Sequence, residues 1–230
     1  MASPITFAIG DIHGCYQELE SLLAVCEKVG AAQHARFVFV GDYIDRGPDP
    51  KKVIDFLVDR QHRRPDRFVC LRGNHEQMLL AAVDPARSNM DLINWLINGG
   101  EQTLESYKVD DPSAIPIDHL AWIKTLPLKL VDNHHLYVHA GIRPGVPLSA
   151  QNPDDLLWIR EPFLSCDALV VHGHTPTETG LPDLRANRLN IDTGAYFGGP
   201  LTAAMFSDLE RSPILFMNSL GEIWRPTFAD

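Results

Sequence analysis

The chain has 230 residues, 45% of them apolar and 22% charged, enough for one large domain or two small ones with a sizeable core. That balance excludes a disordered polyelectrolyte, and the longest unbroken apolar run, residues 78–83, is far short of the roughly 20 residues a membrane span needs. Thirty Asp and Glu against 20 Lys and Arg leave a net charge of −10, which repels nucleic acid and anionic membrane; one basic block, residues 60–64, interrupts it.

The first 84 residues alternate β-rich and helical runs. Residues 5–9, 36–40 and 68–71 are predicted strands, and residues 16–29, 51–58 and 76–83 are predicted helices, the first with Leu19, Leu22, Leu23 and Cys26 at helical spacing. Such alternation implies βαβ units and a parallel sheet buried on both faces. Residues 88–126 carry helical patterns at 91–97, 101–107 and 118–125, broken by Gly99-Gly100 and two prolines, and form an expected inserted helical lobe. Residues 128–131 and 136–139 then read as a hairpin, and 168–171 as a strand running into a His-rich turn. Four further β-like runs follow, at 188–191, 201–206, 213–217 and 222–224. The expected fold is α/β: a layered β-sandwich with mixed sheets flanked by helices, one domain over residues 1–230. No signal-type leader opens the chain, and Cys15, Cys26, Cys70 and Cys166 show no CxxC, so free thiols and the cytoplasm are expected.

Five short blocks fall at the C-terminal ends of predicted strands: GDIHG at 10–14, GDYIDRG at 41–47, RGNHE at 72–76, HAG at 139–141 and HGHTP at 172–176. Loops at such strand ends converge on a crevice, and glycine lets the backbone turn sharply there. Asp11 and His13, two apart at a strand exit, can point the same way. With Asp42, Asn74, His139 and His174 they make six N and O donors without a thiolate, which suits Mn, Fe, Zn or Ni. Six donors are too many for one catalytic metal with an open position. They fit two metals sharing a bridging carboxylate, which clamp the attacking and leaving oxygens of a phosphoryl displacement. Any one of these residues alone reads as a turn residue, a cap or a hydrogen-bonded core histidine; the ordered set reads as a metal centre.

These blocks resemble the metal-dependent phosphoprotein phosphatases, the branch of the calcineurin-like metallophosphoesterases that includes bacterial serine/threonine protein phosphatases and symmetrical diadenosine tetraphosphatases. The resemblance runs from Gly10 to about Pro176. It implies two divalent ions, with Mn the first expectation: Asp11, His13 and the bridging Asp42 for one, and Asn74, His139 and His174 for the other. It further implies Arg46 and Arg160 as the phosphate-gripping pair, with Arg143 a rival to Arg160, and His75, oriented by Asp45, as general acid for the leaving group. Guanidinium forks suit phosphate, and a carboxylate-backed His suits proton delivery. The expected activity is hydrolysis of phosphoserine and phosphothreonine in proteins by direct attack of metal-activated water. The alternative substrate is a dinucleoside polyphosphate such as diadenosine tetraphosphate. For that substrate Trp95 and Trp122 of the lobe offer stacking surface, although packing is the commoner use of Trp. Among neighbouring residues, His172 reads as a strand-end residue, Arg72 as a structural ion pair and Glu76 as a helix cap. Cys15 reads as filler rather than a redox thiol, and Asp154-Asp155 as a solvated helix start.

Overall fold

The computed structural model describes residues 5–30, 35–161 and 168–227. Two mixed sheets stack face to face. The first has β1 (Ile5–Ile9), β2 (Ala35–Phe39) and β3 (Phe68–Cys70) parallel on one side of β1. On its other side run β9 (Thr202–Ser207), β10 (Leu215–Asn218) and β11 (Ile223–Trp224), all antiparallel. The second has β5 (His135–Val138), β6 (Leu169–His172) and β8 (Arg188–Asn190) parallel, edged by β4 (Lys129–Val131) and the two-residue β7 (Asp183–Leu184).

Period-two alternation explains the layering. Phe7, Ile9, Phe37 and Phe39 face the helices, while Ala8, Val38 and Val40 face the second sheet and meet Tyr137, Val171, Leu189 and Phe206. Both faces of β1 and β2 are therefore buried, which is why they read as continuous apolar runs. The helices on the outer face are α1 (Tyr16–Gly30), α2 (Pro50–Arg63) and α3 (Asn74–Val83). Helix α2 is longer than its apolar pattern predicts. Pro50 sits at its start, and the pairs Lys51–Asp55 and Asp59–Arg63, four apart, carry it through its polar end. Helix α3 begins two residues before its apolar pattern, at the candidate ligand Asn74.

The lobe comprises α4 (Asn89–Trp95), α5 (Glu101–Tyr107) and α6 (Ile117–Thr125). Gly99-Gly100 parts the helices as expected: the backbone kinks between α4 and α5 at residues Leu96–Gly100, where Gly99 leaves the helical region at φ +107°. A short helix α7 (Pro153–Trp158) covers the outer face of the second sheet, where Leu156 packs on Leu136, Val138 and Val170. Because β1, β2, β3 and β5, β6, β8 are each parallel sets, their C-terminal ends collect all five sequence blocks into one crevice.

Candidate active site

The donor atoms converge around Asp42. Its Oδ2 lies 3.4 Å from His13 Nε2 and its Oδ1 lies 3.4 Å from His139 Nε2, so the carboxylate stands between two groups of donors. On the second side, Asn74 Oδ1 is 2.7 Å from His139 Nε2 and 2.9 Å from His174 Nδ1. Asp11 joins through its Oδ2, which accepts from the His174 backbone N–H at 2.9 Å. The six residues expected as metal ligands are thus brought together, all buried.

Tautomers can be read from the partners. His13 Nδ1 donates to the Ile44 carbonyl at 2.9 Å and His139 Nδ1 to the Val40 carbonyl at 3.0 Å. Burial holds both rings neutral, His139 down to about 3 and His13 well below the ordinary range. Each therefore presents a bare lone pair on Nε2. At His139 that lone pair faces Asn74 Oδ1 and Asp42 Oδ1, acceptor against acceptors, and Asp11 Oδ1 is buried with no hydrogen-bond partner. Burial and the neighbouring charges of Asp192 and Asp42 raise Asp11 well above the ordinary carboxylate range. Converging lone pairs and crowded acids are what a pair of divalent cations would satisfy, and the donor set fits them.

Backbone conformation concentrates at the same place. Among the described residues, the non-glycine positive φ angles are those of His13, Asp42, Asp45, Arg46, His174 and Lys108, and the first five are site residues. Left-handed backbone costs an L-residue about 1–2 kcal/mol, so the surrounding contacts must hold the loops in place. Glu76 does much of this. Its buried carboxylate accepts the N–H groups of Asp42 and Gly73 at 2.9 Å and of Tyr43 at 2.8 Å, so it caps α3 as expected and also staples the Asp42 loop. Close packing adds to it: a Cβ at Gly173 would lie 1.9 Å from Asp11 Oδ1.

The lobe reaches the site from the other side. His75 Nδ1 donates to Asp45 Oδ2 at 2.7 Å, which leaves Nε2 facing the centre, 3.9 Å from Asp42 Oδ2. Asp45 in turn accepts from Trp95 Nε1 at 3.1 Å and from Thr103 Oγ1 at 2.6 Å. Burial lowers His75 to about 4 and raises Asp45. Trp95 is fully buried in this network and offers no face to a base; Trp122 packs against Tyr43 and donates to Gln61, so both serve packing. The Arg46 backbone N–H donates to the Gly99 carbonyl at 3.1 Å, its Nη1 donates to His13 Nε2 at 3.1 Å, and its guanidinium lies 4.5 Å over the Tyr196 ring.

The two candidate second arginines part company. Arg143 is taken by Asp155 through two hydrogen bonds, one of them 2.8 Å from Nε. Arg160 is exposed, donates to Thr175 Oγ1 at 3.1 Å and sets its charge against Asp42, His139 and His174. Asp155 is consequently not the merely solvated residue expected, though Asp154 is exposed. Among the described residues Arg72 makes no ion pair; it donates to Gln77 and to the Lys124 carbonyl, while Glu76 is occupied by backbone N–H groups. His172 ends β6 as expected, in the cavity beside Arg160 and not among the donor atoms. Cys15 is buried with its sulfur on the His13 carbonyl, its thiol pushed up to about 12 by burial. Cys166 lies outside the described residues.

Asp192 was not singled out from the sequence. It is buried where β8 ends, its charge bears on Asp11, and burial raises it to about 7. Its position after a predicted strand, like those of Asp11 and Asp42, was the available signal.

A family model for the calcineurin-like phosphoesterases matches residues 6–206. The chain belongs to this family. It is 34% identical over 211 residues to serine/threonine-protein phosphatase 1 of Salmonella typhimurium, covering 86% of this chain and 90% of that protein. It is 31% identical over 235 residues to the asymmetrical bis(5'-nucleosyl)-tetraphosphatase PrpE of Geobacillus thermodenitrificans, covering 87% and 90%. Among solved structures, a cold-active protein-tyrosine phosphatase of a psychrophilic Shewanella shares the fold, with a TM-score of 0.69 at 19% identity over 98% of this chain and 82% of that one. The chain is a metallophosphoesterase, and the family works with a two-metal centre that the clustered His and Asp groups here are able to hold. No helix among the described residues is long and apolar enough to cross a membrane.

Proposed function

We propose that this metallophosphoesterase is a phosphomonoesterase that hydrolyses phosphoserine and phosphothreonine in proteins. The observation that carries the reading is Asp42, whose two oxygens face separate groups of donor lone pairs while His75, backed by Asp45, stands beside it. Asp11, His13 and Asp42 would hold one ion, and Asn74, His139 and His174 would share the second with Asp42. Two divalent cations supply Lewis acidity towards phosphoryl oxygens and lower the pKa of water at the site. The remaining work falls to the chain. Arg46 and Arg160 flank the donor cluster and would bind the equatorial phosphoryl oxygens, on which charge rises in the transition state. His75 Nε2, bare because Nδ1 carries the ring proton, would take the proton that the attacking water loses and hand it to the departing alkoxide, with Asp45 fixing the ring through Nδ1.

The dinucleoside polyphosphate reading stands second, supported by relatives named as bis(5'-nucleosyl)-tetraphosphatases. Those relatives are named for asymmetrical cleavage, whereas the sequence resemblance pointed to the symmetrical enzyme. The Salmonella relative and the protein substrate are favoured here because Trp95, the lobe's candidate for stacking a base, is buried under Asp45. The test is kcat/KM for a phosphothreonine peptide and for diadenosine tetraphosphate on one Mn-loaded preparation. A peptide advantage of orders of magnitude supports the reading; the reverse transfers the same metal chemistry to nucleotides.

A further inference from the structure

On the Arg46 side the site opens into a cleft of about 530 Å³. One rim is the kink between α4 and α5, with Leu96 and Ile97; the other carries Tyr196 and Phe197. Ile97 and Phe197 are large apolar side chains left 76% and 71% exposed on facing rims. The apolar surface continues outward along α4 through Ile93 and Met90, also exposed, at helical spacings of four and three. At about 1.5 Å per residue that track runs for roughly 10 Å. Inward, the cleft ends on cationic and aromatic groups: Tyr196 lies under the Arg46 guanidinium and 4.8 Å from the His13 ring.

We propose that this cleft is a specificity subsite for a phosphoprotein segment, seating a large apolar side chain next to the phosphoresidue between Ile97 and Phe197. The inference rests on the protein-phosphatase reading above. Charge complementarity fixes the register: a phosphate dianion held by Arg46 places its neighbouring residues at the mouth of the cleft. The track along α4 fits an extended polymer, because a single nucleoside would leave Ile93 and Met90 uncovered. Of the polar side chains lining the cleft, Asn98 is committed to the Asn94 carbonyl at 2.8 Å, while Glu101 and Gln102 stand on the same rim.

The experiment measures kcat/KM for two phosphothreonine peptides that differ only in carrying Leu or Ser beside the phosphoresidue. The wild type is compared with Phe197→Ala and Ile97→Ala, neither of which belongs to the catalytic machinery, and free phosphothreonine serves as control. The wild type should prefer the Leu peptide by about tenfold or more, the range a filled apolar pocket gives. Both variants should erase that preference with turnover of free phosphothreonine unchanged. Equal rates on the two wild-type peptides would overturn the subsite while leaving the protein-phosphatase reading intact. So would variants that keep the peptide preference but lose diadenosine tetraphosphate turnover, which would give the cleft to a nucleobase. A wild type that hydrolyses the dinucleotide but neither peptide overturns the reading itself, and the subsite with it.

Discussion

Glu76→Gln isolates the staple that holds the bridging carboxylate. In the wild type Oε2 accepts from Asp42 and Gly73 at 2.9 Å, and Oε1 accepts from Tyr43 at 2.8 Å and more distantly from Ile44. Glutamine preserves size but turns one acceptor into an amide NH₂, which then faces two N–H donors. Two buried donors are left without partners, each at about 1–3 kcal/mol, so the loss is about 2–6 kcal/mol. For a chain of this size 1 kcal/mol moves Tm by roughly 2–4 °C, so melting should fall by roughly 4–24 °C. Since the loosened loop carries Asp42, the Mn concentration needed for half-maximal activity should rise as well. Thermal melting by circular dichroism and a Mn titration of activity check both. An unchanged Tm together with an unchanged Mn requirement would refute the staple.

Three other variants probe the neighbouring contacts. Thr103→Val removes the 2.6 Å hydrogen bond to buried Asp45 and should lower kcat roughly tenfold or more with KM little changed, since a bond to a charged group is worth about 1.5–3 kcal/mol; a raised KM at constant kcat would contradict this orienting role. Gly99→Ala should displace Arg46, because a Cβ there would lie 2.7 Å from the Arg46 backbone nitrogen on a backbone at φ +107°; weaker inhibition by inorganic phosphate is the expected readout. Arg160→Ala should raise KM severalfold whereas Arg143→Ala, whose side chain is tied to Asp155, should leave turnover near wild type; the opposite ranking would reverse the assignment.

The strands and the donor set were legible in the sequence for a common reason. Strands buried on both faces read as apolar runs, and the five glycine-bearing blocks, rich in Asp and His, stand out where those strands end. The set of donors comes from residue type and order alone, without knowledge of angles. What stayed hidden depends on contacts between segments distant in sequence. Trp95 and Thr103 lie 50 and 58 residues from Asp45, and nothing local marks them as its hydrogen-bond donors. Glu76 reads as a cap because its local role satisfies the helix; its second role needs the Asp42 loop folded over it. The paired glycines end a helix as they read, but that Gly99 also lets the Arg46 backbone approach is not visible locally. Asp155 reads as solvated until the loop after β5, closed by Gln151 on the Arg143 backbone, brings the Arg143 side chain to it.

The central claim is that Asp42 holds metal while His75 moves a proton. The most direct measurement is metal content by elemental analysis, beside hydrolysis of a small aryl phosphate, for wild type, Asp42→Asn and His75→Asn. Wild type should carry two ions per chain, lose activity on chelation and regain it with Mn. Asp42→Asn should lose metal, and His75→Asn should keep both ions while losing most of its turnover. Full activity in chelated protein, or in His75→Asn, would contradict the claim.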